Sequence, residues 1–130
     1  MAAVEAVRKI EEDEAIQLKS TSQIPEPTGY KILIALPEAD EKTAGGIIKA
    51  EETLRIEETA SVTGFVMKMG KDCYKDERKF PNGAWCKEGD WIIMRAFSGT
   101  RISIHGKEFR LINDDTVEAV IDDPRGVQRA

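Results

Sequence analysis

The feature that most constrains this fold is a series of short apolar stretches separated by turn residues. In residues 30–36 (YKILIAL) apolar residues occupy every second position, and residues 62–70 (VTGFVMKMG) repeat the two-residue period. A continuous apolar strand is predicted at 91–97, a hairpin at 101–112 and a last strand at 116–122. At least five short strands with little helical pattern predict an all-β barrel or sandwich.

The turn of the predicted hairpin contains the dipeptide His105-Gly106, where a tight turn requires positive φ. His105 is the single histidine, so any histidine-dependent triad or dyad would need it. The tip of a hairpin is exposed and supports an acid or base poorly. Glycine-rich nucleotide motifs, zinc-protease motifs and nucleophile elbows are also missing from the sequence. We therefore expect no catalytic residue and no cofactor.

Charge and hydropathy exclude two kinds of partner. The formal net charge is -5 and the pI is about 5.0, whereas binding to phosphates needs clustered Lys and Arg. No apolar run approaches the ~18 to 20 residues of a membrane span, and the N-terminus becomes acidic where a signal peptide would be apolar. We expect no nucleic acid, no membrane and a cytoplasmic location.

The two cysteines, Cys73 and Cys86, are too few for a disulfide framework and do not form a C-x-x-C motif. We expect two reduced thiols packed as small apolar groups. A zinc site would have to recruit His105 and a carboxylate without suitable local spacing, so no metal site is predicted.

The 130 residues indicate one domain with appendages. Residues 1–28 form an N-terminal extension and linker, in which Val4, Val7 and Ile10 make a narrow stripe compatible with a helix. Residues 29–122 form the β domain. Residues 123–130 are a polar C-terminal tail.

A long connection, residues 38–61, separates the first two predicted strands. It shows neither helical nor strand period, and connections of that length are usually functional or disordered. Gly45 and Gly46 provide backbone freedom beside the apolar pair Ile47 and Ile48. Either the isoleucines fold back onto the barrel, or they anchor the loop in a partner protein.

A second unusual segment, residues 71–90, has five bases and five acids and a turn signal at its centre. It predicts a projecting hairpin or long loop. Its aromatic residues are Tyr74, Phe80 and Trp85.

Four motifs in order resemble the GroES-type small co-chaperonins. Residues 42–48 (KTAGGII) are similar to the mobile loop of that family, and residues 64–70 (GFVMKMG) to the strand and glycine that follow it. Residues 86–94 (CKEGDWIIM) resemble the family's turn into a buried strand, and residues 98–122 its closing hairpin, acidic turn and terminal strand. The resemblance covers residues 29–122.

The resemblance implies a partly open β-barrel with a mobile loop at 38–61 and a roof hairpin at 71–90. It implies a homo-heptameric ring that caps an ATP-driven, GroEL-type chaperonin ring and encloses an unfolded client protein. The chaperonin-binding residues would be Gly45, Gly46, Ile47 and Ile48, and the roof would carry Tyr74, Phe80 and Trp85. The first strand would pair with a neighbour's last strand through Tyr30, Ile32, Ile34, Val117, Val120 and Ile121.

The chain departs from the family pattern at two places. Lys49 occupies the position of a third aliphatic loop residue, and residues 1–28 have no counterpart in typical members. The extension and the enlarged 71–90 segment resemble virus-encoded members, which implies a location in the host cytoplasm. Two alternatives remain open, namely a monomeric peptide-binding β-barrel and a detached GroES-like domain of a medium-chain dehydrogenase.

Overall fold

A computed structural model describes residues 23–38 and 50–130 of the chain. The elements are β1 (Lys31–Ala35), α1 (Ala50–Ala60), β2 (Thr63–Met69), β3 (Trp91–Met94), β4 (Thr100–Ile104), β5 (Lys107–Asn113), a 3-10 turn (Asp114–Thr116) and β6 (Val117–Ile121). The predicted stripe of Val4, Val7 and Ile10 lies outside the described residues.

The six strands form one antiparallel sheet in the order β4-β5-β1-β2-β3-β6. The predicted all-β class is confirmed, with one short helix added. Each strand begins within a residue or two of its predicted position. Only β3 is clearly shorter than expected, because the chain turns after Met94 and Phe97 adopts positive φ (58°).

β1 is an inner strand of this sheet. Ile32 pairs with Ile112 of β5 on one side and with Met69 of β2 on the other. The predicted pairing of this strand with a neighbouring subunit is therefore wrong, since both its edges are occupied within the chain. Ile32 and Ile34 are also fully buried in the protomer, so their side chains cannot form a subunit interface.

The hydrophobic core lies between the sheet and the segment that follows β2. Strand residues such as Ile32, Val66 and Ile92 pack with Cys73, Tyr74, Phe80 and Cys86 of the 71–90 segment. That segment is a succession of turns without a strand, so of the two predicted forms the long loop is observed and the hairpin is wrong. Tyr74 and Phe80 of this segment pack inward, because its apolar residues have no strand partner to cover them.

The absence of helical period predicted for 38–61 is also wrong, because α1 occupies Ala50–Ala60. Most of its residues favour a helix, and Glu51 and Glu52 lie in the first turn, where negative charge is stabilised by the helix dipole. Ile56 and Ala60, four positions apart, share the side of the helix that is shielded from solvent. The acidic composition of the segment had hidden this spacing.

Two glycines are required for different reasons. The β4–β5 turn adopts positive φ at His105 (49°) and Gly106 (80°), as expected for a two-residue hairpin. The irregularity of the β1–β2 ladder lies between Leu33 and Ile34, and Gly64 is not part of it. Gly64 is instead required by close packing, because a Cβ atom there would lie 2.6 Å from Cδ1 of Ile34.

Candidate partner-binding site

The predicted chaperonin-binding residues Gly45, Gly46, Ile47 and Ile48 lie outside the described residues. The structure does describe both supports of this segment. We call residues 36–38 the leading stalk and α1 the exit helix. The leading stalk follows β1 directly, and the exit helix leads into β2.

The leading stalk is held by β5. The backbone N–H of Leu36 donates to the Glu108 carbonyl at 3.1 Å, and the Glu108 N–H donates to Oε1 of Glu38 at 3.1 Å. Leu36 itself is buried in the core. The chain therefore leaves the sheet at a fixed position beside Glu108.

The exit helix ends against a buried arginine from the same strand. Arg110 is 2% exposed, and its guanidinium donates to the carbonyl oxygens of Ser61 (3.2 Å) and Ala60 (3.4 Å). The last turn of α1 contains no basic residue of its own. Since the carbonyl end of a helix carries partial negative charge, Arg110 supplies the complementary cation from another element.

Hydroxyl groups satisfy further carbonyl oxygens at this helix end. Ser61 Oγ donates to the Glu58 carbonyl at 2.7 Å, and Thr63 Oγ1 donates to the Thr59 carbonyl at 2.8 Å. These bonds matter because the final carbonyls of a helix have no partner within it. The junction between α1 and β2 is thus well ordered.

A charged network joins the exit helix to β4 and β5. Arg101 bonds to Glu57 of α1 at 3.2 Å and to Glu108 of β5. The hydrogen bond that Arg101 donates to the Glu108 carboxylate raises the pKa of Arg101 above its usual value. Burial lowers the pKa of Arg110, and the nearby Arg101 charge acts in the same direction. Both supports of the segment therefore meet at the β4–β5 hairpin.

The sequence interpretation missed these supporting residues. Arg110 and Glu108 lie in a strand where charged residues normally face solvent, and nothing in their spacing relates them to residues 38–61. Only the pairing of β5 with β1 brings these two residues to the leading stalk and the exit helix.

Residues predicted at the subunit interface occupy different environments. Val117 is buried in the protomer, whereas Tyr30 and Val120 are about half exposed, at 53% and 47%. Ile121 is partly buried. β6 pairs with β3 on one side, and among the described strands its other edge has no partner.

The predicted roof residues form a contiguous aromatic cluster. The ring of Phe80 lies 4.8 Å from that of Tyr74 and 4.9 Å from that of Trp85. Tyr74 adopts positive φ (59°), and its N–H and hydroxyl donate to Oδ2 (3.0 Å) and the carbonyl (2.8 Å) of Asp114. Burial raises the pKa of Tyr74 well above its ordinary value. Trp85 is the one member of the trio that remains substantially exposed, at 46%.

The cysteine thiols lie on either side of this cluster. Cys73 Sγ donates to the Lys31 carbonyl at 3.3 Å, and Cys86 Sγ lies 3.4 Å from the Tyr74 hydroxyl. Burial raises the pKa of Cys73 to about 11 and also raises that of Cys86. Both are free thiols, as expected.

Neither a membrane-spanning helix nor a metal site is present among the described residues. The part of the chain that the structure describes contains no helix long and apolar enough to cross a membrane. The same residues contain no group of three or more His, Cys, Asp or Glu side chains arranged to hold a metal ion.

Comparison with known proteins covers most of the chain. The family model described as "Chaperonin 10 Kd subunit" (Cpn10) matches residues 25–121, so residues 1–24 precede the matched region. The "Co-chaperonin GroES" of Caldicellulosiruptor saccharolyticus is 32% identical over 97 residues, which are 75% of this chain and 96% of that protein. The proteins of the same name from Rubrobacter xylanophilus and Clostridioides difficile are 29% and 31% identical, with 75% and 74% of this chain and 96% of each relative covered.

The match extends from the residues before β1 to the end of β6, and it includes both stalks of the candidate binding segment. The six-stranded domain matches these relatives over nearly their whole length. The resemblance inferred from four sequence motifs is confirmed, and this chain belongs to the Cpn10 co-chaperonin family.

Proposed function

We propose that this protein is a co-chaperonin that forms a ring-shaped lid on an ATP-driven, GroEL-type chaperonin and closes its folding chamber. The observation that carries the proposal is the match of the Cpn10 family model to residues 25–121. The two supports add to this, because residues of β5 hold both the leading stalk and the exit helix. A lid acts by binding and release, so it needs no catalytic residue and no cofactor.

The proposed anchor is the apolar pair Ile47 and Ile48, next to Gly45 and Gly46. Burial of two isoleucine side chains contributes roughly 3 to 6 kcal/mol, whereas ordering each loop residue costs about 1 to 2 kcal/mol. One loop alone should therefore bind weakly. The leading stalk and the exit helix favour binding, because they are already ordered and fewer residues remain to be ordered when the loop binds.

Assembly into a ring makes weak loops effective. After one loop binds, the others do so at an effective concentration of roughly millimolar or more. We propose a homo-heptamer, as the family resemblance implies. Release would follow when the chaperonin withdraws its binding grooves during its nucleotide cycle.

The open edge of β6 is the proposed subunit contact, because an unpaired apolar edge must be covered in a stable protein. β1 cannot supply the partner strand. Residues 23–28 of a neighbour are better suited, since they belong to no strand of their own chain. Pro25 and Pro27 lie two positions apart, so in an extended chain the backbone N–H groups that they lack belong to the same edge. That edge cannot donate these hydrogen bonds, and the other edge is free to pair with a strand.

The anchor is tested by Ile48→Asp in the full chain. We expect the variant to keep its oligomeric state and to lose capping, measured as ATP-dependent co-sedimentation with a GroEL-type chaperonin. Leu54→Asp is the matched control, because Leu54 is 60% exposed on the exit helix and lies outside the Gly-Gly-Ile-Ile motif. Full capping by Ile48→Asp would refute the anchor assignment.

Oligomeric state is tested separately by native mass measurement. A seven-subunit ring is expected. A stable monomer would instead favour the alternative of a peptide-binding β-barrel.

A further inference from the structure

A mostly apolar groove lies between the exit helix and the C-terminal tail. We call it the tail groove; its volume is about 410 Å³. Thr59 Oγ1 of the helix donates to the Val127 carbonyl at 2.6 Å, which holds the tail across the helix. The groove is lined by Pro37, Arg55, Ile56, Thr59, Pro124 and residues further along the tail.

A smaller groove, of about 210 Å³, adjoins it on the side of the β4–β5 turn. We call this the hairpin groove. It shares Pro37 and Ile56 with the tail groove and reaches Gly106 at its other end. Its wall carries the carboxylates of Glu38, Glu57 and Glu108. The two grooves therefore lie side by side along the exit helix, with Pro37 and Ile56 between them, and together they line the helix from the hairpin tip to the tail.

The N-terminal extension joins the described chain beside these grooves. Nε2 of His105 and Oε1 of Gln23 lie 2.6 Å apart, so the chain enters at the hairpin tip, next to Gly106. Twenty-two residues precede Gln23, and an extended chain spans about 3.3 Å per residue. Residues 1–22 are therefore long enough to extend along both grooves.

The order of charged and apolar residues in the extension matches the order of the groove linings along the exit helix. Going back from Gln23, residues 15–22 contain Lys19 and no acid, which suits the carboxylates of the hairpin groove. Residues 11–14 (EEDE) come next, and Arg55 of the tail groove is exposed, with no ion pair to another described residue. The stripe of Val4, Val7 and Ile10 comes last in this order, and the tail groove is mostly apolar.

We propose that residues 1–22 dock along the exit helix of their own chain, with the Val4, Val7 and Ile10 stripe in the tail groove and residues 11–14 facing Arg55. A narrow apolar stripe is too weak to hold a short helix alone, whereas a preformed groove provides the missing surface. The docked extension braces the helix that supports the partner-binding segment. This role does not depend on the identity of the partner.

Limited proteolysis of the full chain tests the proposal, because trypsin can cut after Arg8 and Lys9 within the docked stretch. Cleavage of a transiently released segment follows the fraction of time that it spends undocked. An Asp beside Lys9 slows trypsin by itself, so each rate is divided by the rate for a free peptide of residues 1–22 with the same sequence. We expect Ile10→Asp to accelerate this normalised cleavage at the two sites about tenfold over the wild type. Equal normalised rates in the wild type and Ile10→Asp would overturn the proposal.

A second pair of variants tests the groove. Ile56→Glu places a charge in the wall shared by both grooves, and it should accelerate cleavage as Ile10→Asp does. Leu54→Glu is the matched control on the same helix, because Leu54 lines neither groove, and it should leave the rate unchanged. Acceleration by Ile10→Asp without acceleration by Ile56→Glu would place the stripe on another surface and overturn the proposal. Ile10→Asp lies outside the barrel, so its result holds even if Ile56→Glu impairs folding.

Discussion

Arg110→Met is the sharpest test of how the exit helix is held. The substitution keeps a long apolar stem and removes the guanidinium, so the carbonyl oxygens of Ala60 and Ser61 lose their donors at 3.4 and 3.2 Å. Hydrogen bonds to charged groups contribute about 1.5 to 3 kcal/mol each. Relief of the buried charge offsets part of this loss. We expect a net destabilisation of about 2 kcal/mol.

The assay has a global and a local part. Urea unfolding at a fixed protein concentration should show the loss as a lower midpoint with an unchanged slope. Hydrogen exchange should accelerate mainly in α1, because the helix end loses its complementary charge. A loss below about 0.5 kcal/mol, within the usual range for surface substitutions, would refute the reasoning, as would unchanged exchange in α1.

Arg101→Met is the matched control. Arg101 bonds to Glu57 and Glu108 at a site where about a third of each side chain or more is exposed. Exposed ion pairs contribute about 1 kcal/mol or less. The control should therefore lower stability clearly less than Arg110→Met. An equal or larger loss would assign the support of the helix to the surface network instead.

Three further predictions concern the rest of the molecule. Val120→Asp should weaken ring assembly without unfolding the protomer, because Val120 is 47% exposed on the open edge strand. Native mass measurement checks the assembly and circular dichroism checks the fold; an unchanged ring would exclude β6 from the subunit contact. Cys73 should react slowly with iodoacetamide at pH 8, because a thiol with a pKa of about 11 is mostly protonated there; labelling as fast as in the urea-unfolded chain would contradict its burial. Tyr74→Phe should cost about 1 to 2 kcal/mol in urea unfolding, because the buried Asp114 carbonyl loses its donor at 2.8 Å, and a neutral result would show that water replaces the hydroxyl.

The sequence predicted the strands well because their two-residue period and turn residues are local properties. The β4–β5 turn is an example, since His105-Gly106 alone specifies the positive φ values that the hairpin requires. The exit helix was missed for a different reason. Ile56 and Ala60 have helical spacing, but the acidic residues around them favoured the interpretation of a solvated loop.

Other features depend on strand order, which no local pattern reveals. The sequence shows that β1 is apolar on one side, but only the structure shows both its edges occupied. For the same reason Arg110 could not be recognised as a support of the exit helix. The role of Arg110 arises because β5 lies next to β1 in the sheet, although the two strands are far apart in the sequence.

The central position of β1 also governs when the subunit can fold. β1 is the first of the described strands to be synthesised, yet its register pairs Ile32 with Ile112, eighty residues later. The β4–β5 hairpin forms from neighbouring residues, whereas the β1–β5 ladder requires closure of a loop that contains almost the whole domain. During translation the two halves of the sheet cannot join until β5 has left the ribosome. We therefore expect slow folding, with the edge of β1 that pairs with β5 exposed to aggregation until β5 joins it.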